Sequence, residues 1–212
     1  MRIEIEKDYS PSKIVCVGRN YADHAAELGN EVPKAPLLFL KAPSSLVRNG
    51  EPIVIPPQSE RVEHEAELAI VIKERARDLS DDEDVFKYIL GFTCLNDVTA
   101  RDIQRADVQF TRGKSFDTFC PIGPHIETEL EVSDIEVQCR VNGEIRQTGR
   151  TSQMVFSVEF LVRYISRQMT LVPGDLIATG TPAGVSKLEP GDVCEVVIEG
   201  IGTLSNPVEA KD

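Results

Sequence analysis

Apolar residues in this chain come in short runs broken by Gly and Pro, and the spacing within the runs is that of strands more often than of helices. KIVCVG (13–18), PLLFLK (36–41), PIVIP (52–56) and ILGFTCLND (89–97) each read as one strand, some apolar enough to be buried on both faces. Residues 62–74, VEHEAELAIVIKE, place Glu63, Glu65 and Glu67 at alternate positions and then run into Leu68, Ala69, Ile70, Val71 and Ile72. In a strand those three carboxylates leave one side of the sheet, and His64 leaves the other. Asn142-Gly143 lies between the β-like arms of 137–149, the signature of a type I′ hairpin. Residues 192–208 repeat the strand–turn–strand pattern. Helices are fewer: a short one at 21–28, one near 81–88, and one over 157–168, where Val158, Leu161, Val162 and Ile165 recur at helical spacing and mark a core face. The pattern predicts a strand-rich α+β fold with few helices, as one domain over residues 1–212, with no internal repeat.

Composition narrows the class. A chain of 212 residues, 41% hydrophobic, can bury a substantial core. A net charge of -12 leaves no general basic surface, so nucleic acid is not an expected partner. Five cysteines at 16, 94, 120, 139 and 194, with no C-x-x-C spacing, read as buried apolar residues rather than a disulfide framework or thiolate zinc site. No apolar run approaches the ~20 residues that cross a bilayer, and the N-terminus lacks a signal-type apolar core. The expectation is a soluble, cytoplasmic protein without a membrane partner.

The unusual chemistry lies in the first half and the centre. In GRNYADHAAELGN, Asn20 is expected to cap a helix of about two turns that Gly29 stops. His24 and Glu27, three apart on that helix, can meet, either as a solvated ion pair or as an imidazole oriented by a carboxylate into a general base. The following GNEVPKAP has the Gly and prolines of a hinge, so residues 20–36 read as a lid. In NDVTARDIQRADVQFTRGKSFDTFCPIGP, Asp97 ends an apolar strand, a helical turn from Thr99 carries Arg101 and Gln104, and a loop brings Lys114.

Taken in order, VGRNYADHAAE, HEAELAIVI, NDVTARDIQ, GKSFDTFCPIGP, VNGEIRQTG and PGDLIATGTPAGV resemble the fumarylacetoacetate hydrolase superfamily, over nearly the whole chain. The branch is the one that includes acylpyruvate hydrolases, oxaloacetate-handling enzymes and 2-hydroxyhepta-2,4-diene-1,7-dioate isomerases. The resemblance implies a mixed β-sandwich or roll with peripheral helices, assembled as a homodimer. It implies a divalent ion held by Glu65, Glu67 and Asp97, and the hard oxygen ligands favour Mg²⁺ or Mn²⁺, with Ca²⁺ also accommodated. Glu63 falls outside the motif, solvated or behind the ligands, so its replacement is expected to leave ion binding intact. His64 is left structural.

The same resemblance assigns His24 and Glu27 to activating water, Lys114 and Thr181 to the pocket, and Arg101 and Gln104 to the ligand's polar groups. Arg19 and Asn20 also match, for substrate contact or a lid hinge. Gly180, Pro182 and Gly184 can shape a loop whose N–H groups approach the substrate. The implied substrate is a small anionic 2-oxo or dienoic acid, with a keto oxygen whose enolate charge a bound cation absorbs. Hydrolytic C–C cleavage of a 3-acylpyruvate is the leading expectation. Dienoate isomerisation and oxaloacetate decarboxylation or tautomerisation use the same constellation, and a metabolite-binding protein on this fold is the non-enzymatic alternative.

Overall fold

The structure is a computed structural model that describes residues 1–211. Its centre is the strand Ala66–Ile72, buried along its whole length. Ile89–Asn96 and Leu176–Ala178 pair with it, both antiparallel. Outward from these, the large sheet continues through Cys120–Glu127 to Arg2–Glu4 on one side and through Ile14–Gly18 to Leu37–Lys41 on the other, with Leu46–Arg48 beside Cys120–Glu127. A second sheet runs in the order Glu144–Arg150, Glu136–Val141, Val193–Ile198, Gly202–Ala210, Ile53–Ile55.

Strand alternation explains how the sheets pack. Leu68, Ile70 and Ile72 join the apolar cluster that contains Val137, Cys139, Val196 and Leu204 of the second sheet. Ala69 and Val71 face a separate cluster with Ile14, Cys16, Leu95 and Ala178. A strand covered on both faces has no room for charge except at its end, and Glu65 and Glu67 stand there.

Most of the expected elements form. Asn142 (φ 53) and Gly143 (φ 82) both occupy the left-handed region that the type I′ turn demands. The helix Val158–Ser166 buries Val158, Leu161, Val162 and Ile165, and the Ser157 hydroxyl accepts a hydrogen bond from the Phe160 N–H at its start. Three details differ. The helix near 81–88 shrinks to a 3-10 turn, Val85–Tyr88. The helical turn carrying Arg101 starts at Arg101, because Thr99–Ala100 pairs as a strand with Val62–Glu63. Residues 62–74 hold two strands, Val62–Glu63 and Ala66–Ile72, interrupted where the Asn96 side chain takes the Glu65 N–H at 2.9 Å. Among the described residues no helix is long and apolar enough to cross a membrane.

Candidate active site

A cleft of about 250 Å³ opens at the end of the central strands, and eight of the nine expected site residues line it: His24, Glu65, Glu67, Asp97, Arg101, Gln104, Lys114 and Thr181. Glu27 does not line it but stands behind His24. The cleft floor is acidic. Glu65, Glu67 and Asp97, all buried, each offer an oxygen, and these atoms lie within 4.8 Å of one another. Glu67 lies directly across from Leu95 in the strand ladder, and the Asp97 N–H bonds the Glu65 carbonyl at 2.9 Å.

Three buried cations answer this charge. Lys114 Nζ bridges Glu65 Oε2 at 2.7 Å and Asp97 Oδ2 at 2.6 Å. Arg101 donates from Nε to Glu63 Oε2 at 2.7 Å, from Nη2 to Glu65 Oε1 at 2.5 Å and from Nη1 to Gln104 Oε1 at 2.5 Å. Lys41 Nζ reaches Asp97 Oδ1 at 2.7 Å and the Val98 carbonyl at 3.2 Å. Glu67 has no such partner among the described residues. It takes one hydrogen bond, from the Gly180 N–H at 2.7 Å.

The consequences for protonation follow from these contacts. Burial raises the pKa of Glu65, but the Lys114 ammonium and the Arg101 guanidinium outweigh it and hold the carboxyl well below its usual range. Burial and then the charges of Asp97 and Glu65 push Glu67 well above its usual value. Burial would lower Lys114, yet Asp97 and Glu65 raise it, so the ammonium stays charged. Three hard oxygen donors, one of them lacking a counter-charge, fit a hard divalent ion better than they fit zinc or copper.

The neighbouring residues correct several expectations. Of the two places expected for Glu63, the structure gives the one behind Glu65: it is 2% exposed, and its carboxylate joins Arg101, which also holds Glu65, to Arg61. Asn20 does not cap the helix Ala22–Glu27. Its side chain donates to the Thr179 carbonyl (2.8 Å) and the Phe156 carbonyl (3.0 Å) and accepts from the Phe156 N–H (2.8 Å). Long-range partners that satisfy three groups at once outweigh a single cap. Gly29 does stop the helix, at φ 69. The glycine N–H groups of the 180–184 loop meet carboxylates of the protein: Gly180 meets Glu67, and Gly184 meets Glu27 at 3.1 and 3.2 Å. Both positions need glycine, since a Cβ on Gly184 (φ +102) would sit 2.1 Å from the Arg146 carbonyl oxygen and one on Gly180 (φ +100) 2.7 Å from Asn20 Cβ.

His24 is 4% exposed, and its Nδ1 stands 3.4 Å from Glu27 Oε2. His64 turns to the other face as expected, where Nδ1 meets Gln147 Oε1 and Nε2 meets Ser186 Oγ, each at 2.8 Å. Because Gln147 Oε1 also accepts from the Ala66 N–H, its amide nitrogen must face the other way, donating to Thr181 Oγ1 and the Pro182 carbonyl at 2.7 Å each. The Thr181 hydroxyl in turn donates to the Ala66 carbonyl at 2.8 Å. Lys41, Asn96 and Gln147 were missed from the sequence. The signal for Lys41 was its place at the end of an otherwise apolar strand, PLLFLK.

Residues 13–209 match the family model described as the C-terminal part of fumarylacetoacetate (FAA) hydrolase. An uncharacterized protein of Methanocaldococcus jannaschii is 51% identical over 97% of this chain and 86% of its own length. The mitochondrial oxaloacetate tautomerase Fahd2a of Rattus norvegicus is 44% identical over 93% of this chain and 66% of that protein. Among solved structures, the 2-hydroxyhepta-2,4-diene-1,7-dioate isomerase of Mycobacterium marinum superposes with a TM-score of 0.88 at 47% identity, covering 96% of this chain and 76% of that one.

Proposed function

Because the chain belongs to the fumarylacetoacetate hydrolase family, we propose that it moves a proton at the carbon beside the keto group of a small 2-oxo acid, as a tautomerase or isomerase. The observation that carries the reading is the pairing, in one cleft, of a carboxylate-backed imidazole with three clustered carboxylates, one of which lacks a counter-charge. The tautomerase and the dienoate isomerase have different substrates. Both reactions remove a proton next to a carbonyl and return one elsewhere, and this shared chemistry supports the reading, while a relative named as a fumarylacetoacetate hydrolase, 46% identical, keeps hydrolysis as the second one.

In this proposal Glu65, Glu67 and Asp97 hold a divalent ion, Mg²⁺ or Mn²⁺, with Ca²⁺ also accommodated. When bound, the ion acts as a Lewis acid that polarises the substrate's keto group. His24 is the base. Glu27 receives the Nδ1–H, so Nε2 is left as the proton acceptor, and the Gly184 N–H fixes Glu27 in turn. Lys114, kept protonated by Glu65 and Asp97, serves as a fixed positive charge beside developing oxygen charge and not as a base. Arg101 takes the Gln104 carbonyl oxygen, which leaves the Gln104 amide hydrogens for the ligand. The Thr181 hydroxyl already donates to Ala66, so toward a ligand it can only accept.

Hydrolysis of a 3-acylpyruvate remains a second reading, since the His24–Glu27 pair could as well take a proton from water. Assembly as a homodimer belongs to the same proposal. A substrate panel decides between the readings: enol-to-keto conversion of oxaloacetate, isomerisation of a hydroxydienoic diacid, and cleavage of acetylpyruvate, each with Mg²⁺ and with chelator. Fast proton transfer with slow cleavage supports the tautomerase or isomerase reading. Cleavage of acetylpyruvate as the fastest reaction would replace it with hydrolysis.

A further inference from the structure

A second cavity, of about 260 Å³, has Tyr21, Ala22, Asp23, Gln153, Pro182 and Ala183 in its lining, and none of these lines the catalytic cleft. Two segments nevertheless border both. Residues 21–23 lead into the helix that carries His24 and Glu27, and Pro182 and Ala183 lie between Thr181, a cleft residue, and Gly184, whose N–H holds Glu27. The strand Glu144–Arg150 backs that loop directly, since a Cβ on Gly149 would sit 2.6 Å from Pro182 Cβ. Tyr21 is the unusual member of the lining. It is 3% exposed, and its hydroxyl is buried with no hydrogen-bond partner among the described residues. A buried hydroxyl without a partner is costly, and native proteins keep few of them. Burial pushes its pKa up, so the phenol keeps its proton and can donate. Gln153 Oε1 accepts from the Arg150 N–H at 2.7 Å, which leaves the Gln153 amide hydrogens to donate elsewhere. Asp23 is exposed and forms no ion pair among the described residues.

We propose that this cavity is a second binding site, for a small organic ammonium compound that also carries a carbonyl oxygen, and that its occupant steadies the His24–Glu27 pair from outside the cleft. The lining holds one carboxylate and no cation, in a chain of net charge -12. An anionic acid is therefore disfavoured there and an ammonium attracted. Asp23 takes the ammonium, while the Tyr21 hydroxyl and the Gln153 amide supply two donors for the carbonyl oxygen. Ala22, Pro182 and Ala183 give apolar contact to the carbon skeleton. An occupant that touches both residues 21–23 and Pro182–Ala183 ties the helix to the loop, beside the tie that the Gly184 N–H already makes to Glu27. Binding stands apart from the proposed proton transfer; the effect on turnover rests on that reading.

Glycinamide, which has both groups, is titrated into isotope-labelled protein beside acetamide, which lacks the ammonium, and ethylamine, which lacks the carbonyl. Backbone amide NMR shifts report where each binds. Glycinamide is expected to give saturable shifts at Ala22, Asp23, Gln153 and Ala183 and to bind more tightly than either partial analogue. Tyr21→Phe should weaken it about 2- to 10-fold, the range for a neutral hydrogen bond, without lowering Tm, because the hydroxyl it removes has no partner. Asp23→Asn should weaken it by up to about 5-fold, the range for an exposed ion pair. In enol–keto conversion of oxaloacetate at saturating Mg²⁺, glycinamide should raise the wild-type kcat and leave KM unchanged, with higher concentrations needed in both variants. Shifts that do not saturate, or that fall instead on the cleft residues Gly18, Asn30 and Phe110, overturn the site, as does unaltered affinity in both variants. Saturable binding that leaves kcat unchanged overturns the effect on the dyad. Wild-type protein that converts no oxaloacetate overturns the proton-transfer reading instead, and the shifts still decide the site.

Discussion

Replacing Glu63 separates the sequence-level expectation from the structural one. From the sequence, Glu63→Ala is harmless; in the structure its carboxylate accepts from Arg101 Nε at 2.7 Å and Arg61 Nε at 2.5 Å. Arg61 is half exposed, so that contact contributes little. Arg101 is 1% exposed and would keep Glu65 and Gln104 while losing one charged hydrogen bond. The expected cost is about 2–3 kcal/mol, within the range for a hydrogen bond to a charged group and below that for stripping a buried charge of its only partner. For a chain of this size that lowers Tm by about 4–12 °C. Arg101 would then lean wholly on Glu65, a proposed ligand, so affinity for Mn²⁺ should fall about tenfold or more. Burial works to raise the Glu63 pKa, but Arg101 outweighs it and the folded value is depressed. The contribution is therefore present above the unfolded carboxylate pKa of about 4.3 and shrinks as pH falls through the lower folded value. Urea unfolding at neutral and acid pH, with calorimetric Mn²⁺ titration, measures all three effects. A stability change under about 0.5 kcal/mol together with unaltered Mn²⁺ affinity would refute the reasoning.

Other expectations are more direct. His24→Ala should lower turnover by roughly two to four orders of magnitude while Mn²⁺ still binds, the range for a lost general base; a loss below tenfold in steady-state assays would remove His24 from that role. Gly184→Ala forces a Cβ against the Arg146 carbonyl and displaces the N–H that holds Glu27, so it should cost about 1–3 kcal/mol in thermal unfolding and depress kcat along with it. Unchanged kcat in a folded Gly184→Ala would show that Glu27 needs no such anchor. Light scattering at micromolar concentration should give twice the 23.4 kDa chain mass, and a monomer would contradict the dimer.

What the sequence made legible was local or motif-borne. Asn142-Gly143 announced its hairpin because both residues tolerate positive φ, and the helix over 158–166 announced itself by period. Alternation put Glu63, Glu65 and Glu67 on one strand face, and the resemblance to the family singled out Glu65 and Glu67 with Asp97 as the acid cluster. What escaped depends on contacts between distant segments. Asn20 looked like a cap because its partners, Phe156 and Thr179, lie 136 and 159 residues away. Glu63 stayed open between solvent and a place behind the acid cluster because nothing in VEHEAE shows that Arg101 will fold over it. Nothing in PLLFLK shows that the Lys41 ammonium is buried on Asp97.

The proposed proton transfer, at the carbon beside a keto group, would be carried by His24 with an ion on Glu65, Glu67 and Asp97. Deuterium incorporation at the methylene carbon of oxaloacetate in D₂O, followed by NMR, tests it directly. With Mg²⁺, wild type should accelerate exchange well beyond the rate of Mg²⁺ alone, and chelator or Glu67→Gln should abolish the acceleration. Exchange at the rate of Mg²⁺ alone, in protein shown by calorimetry to have bound the ion, would contradict it.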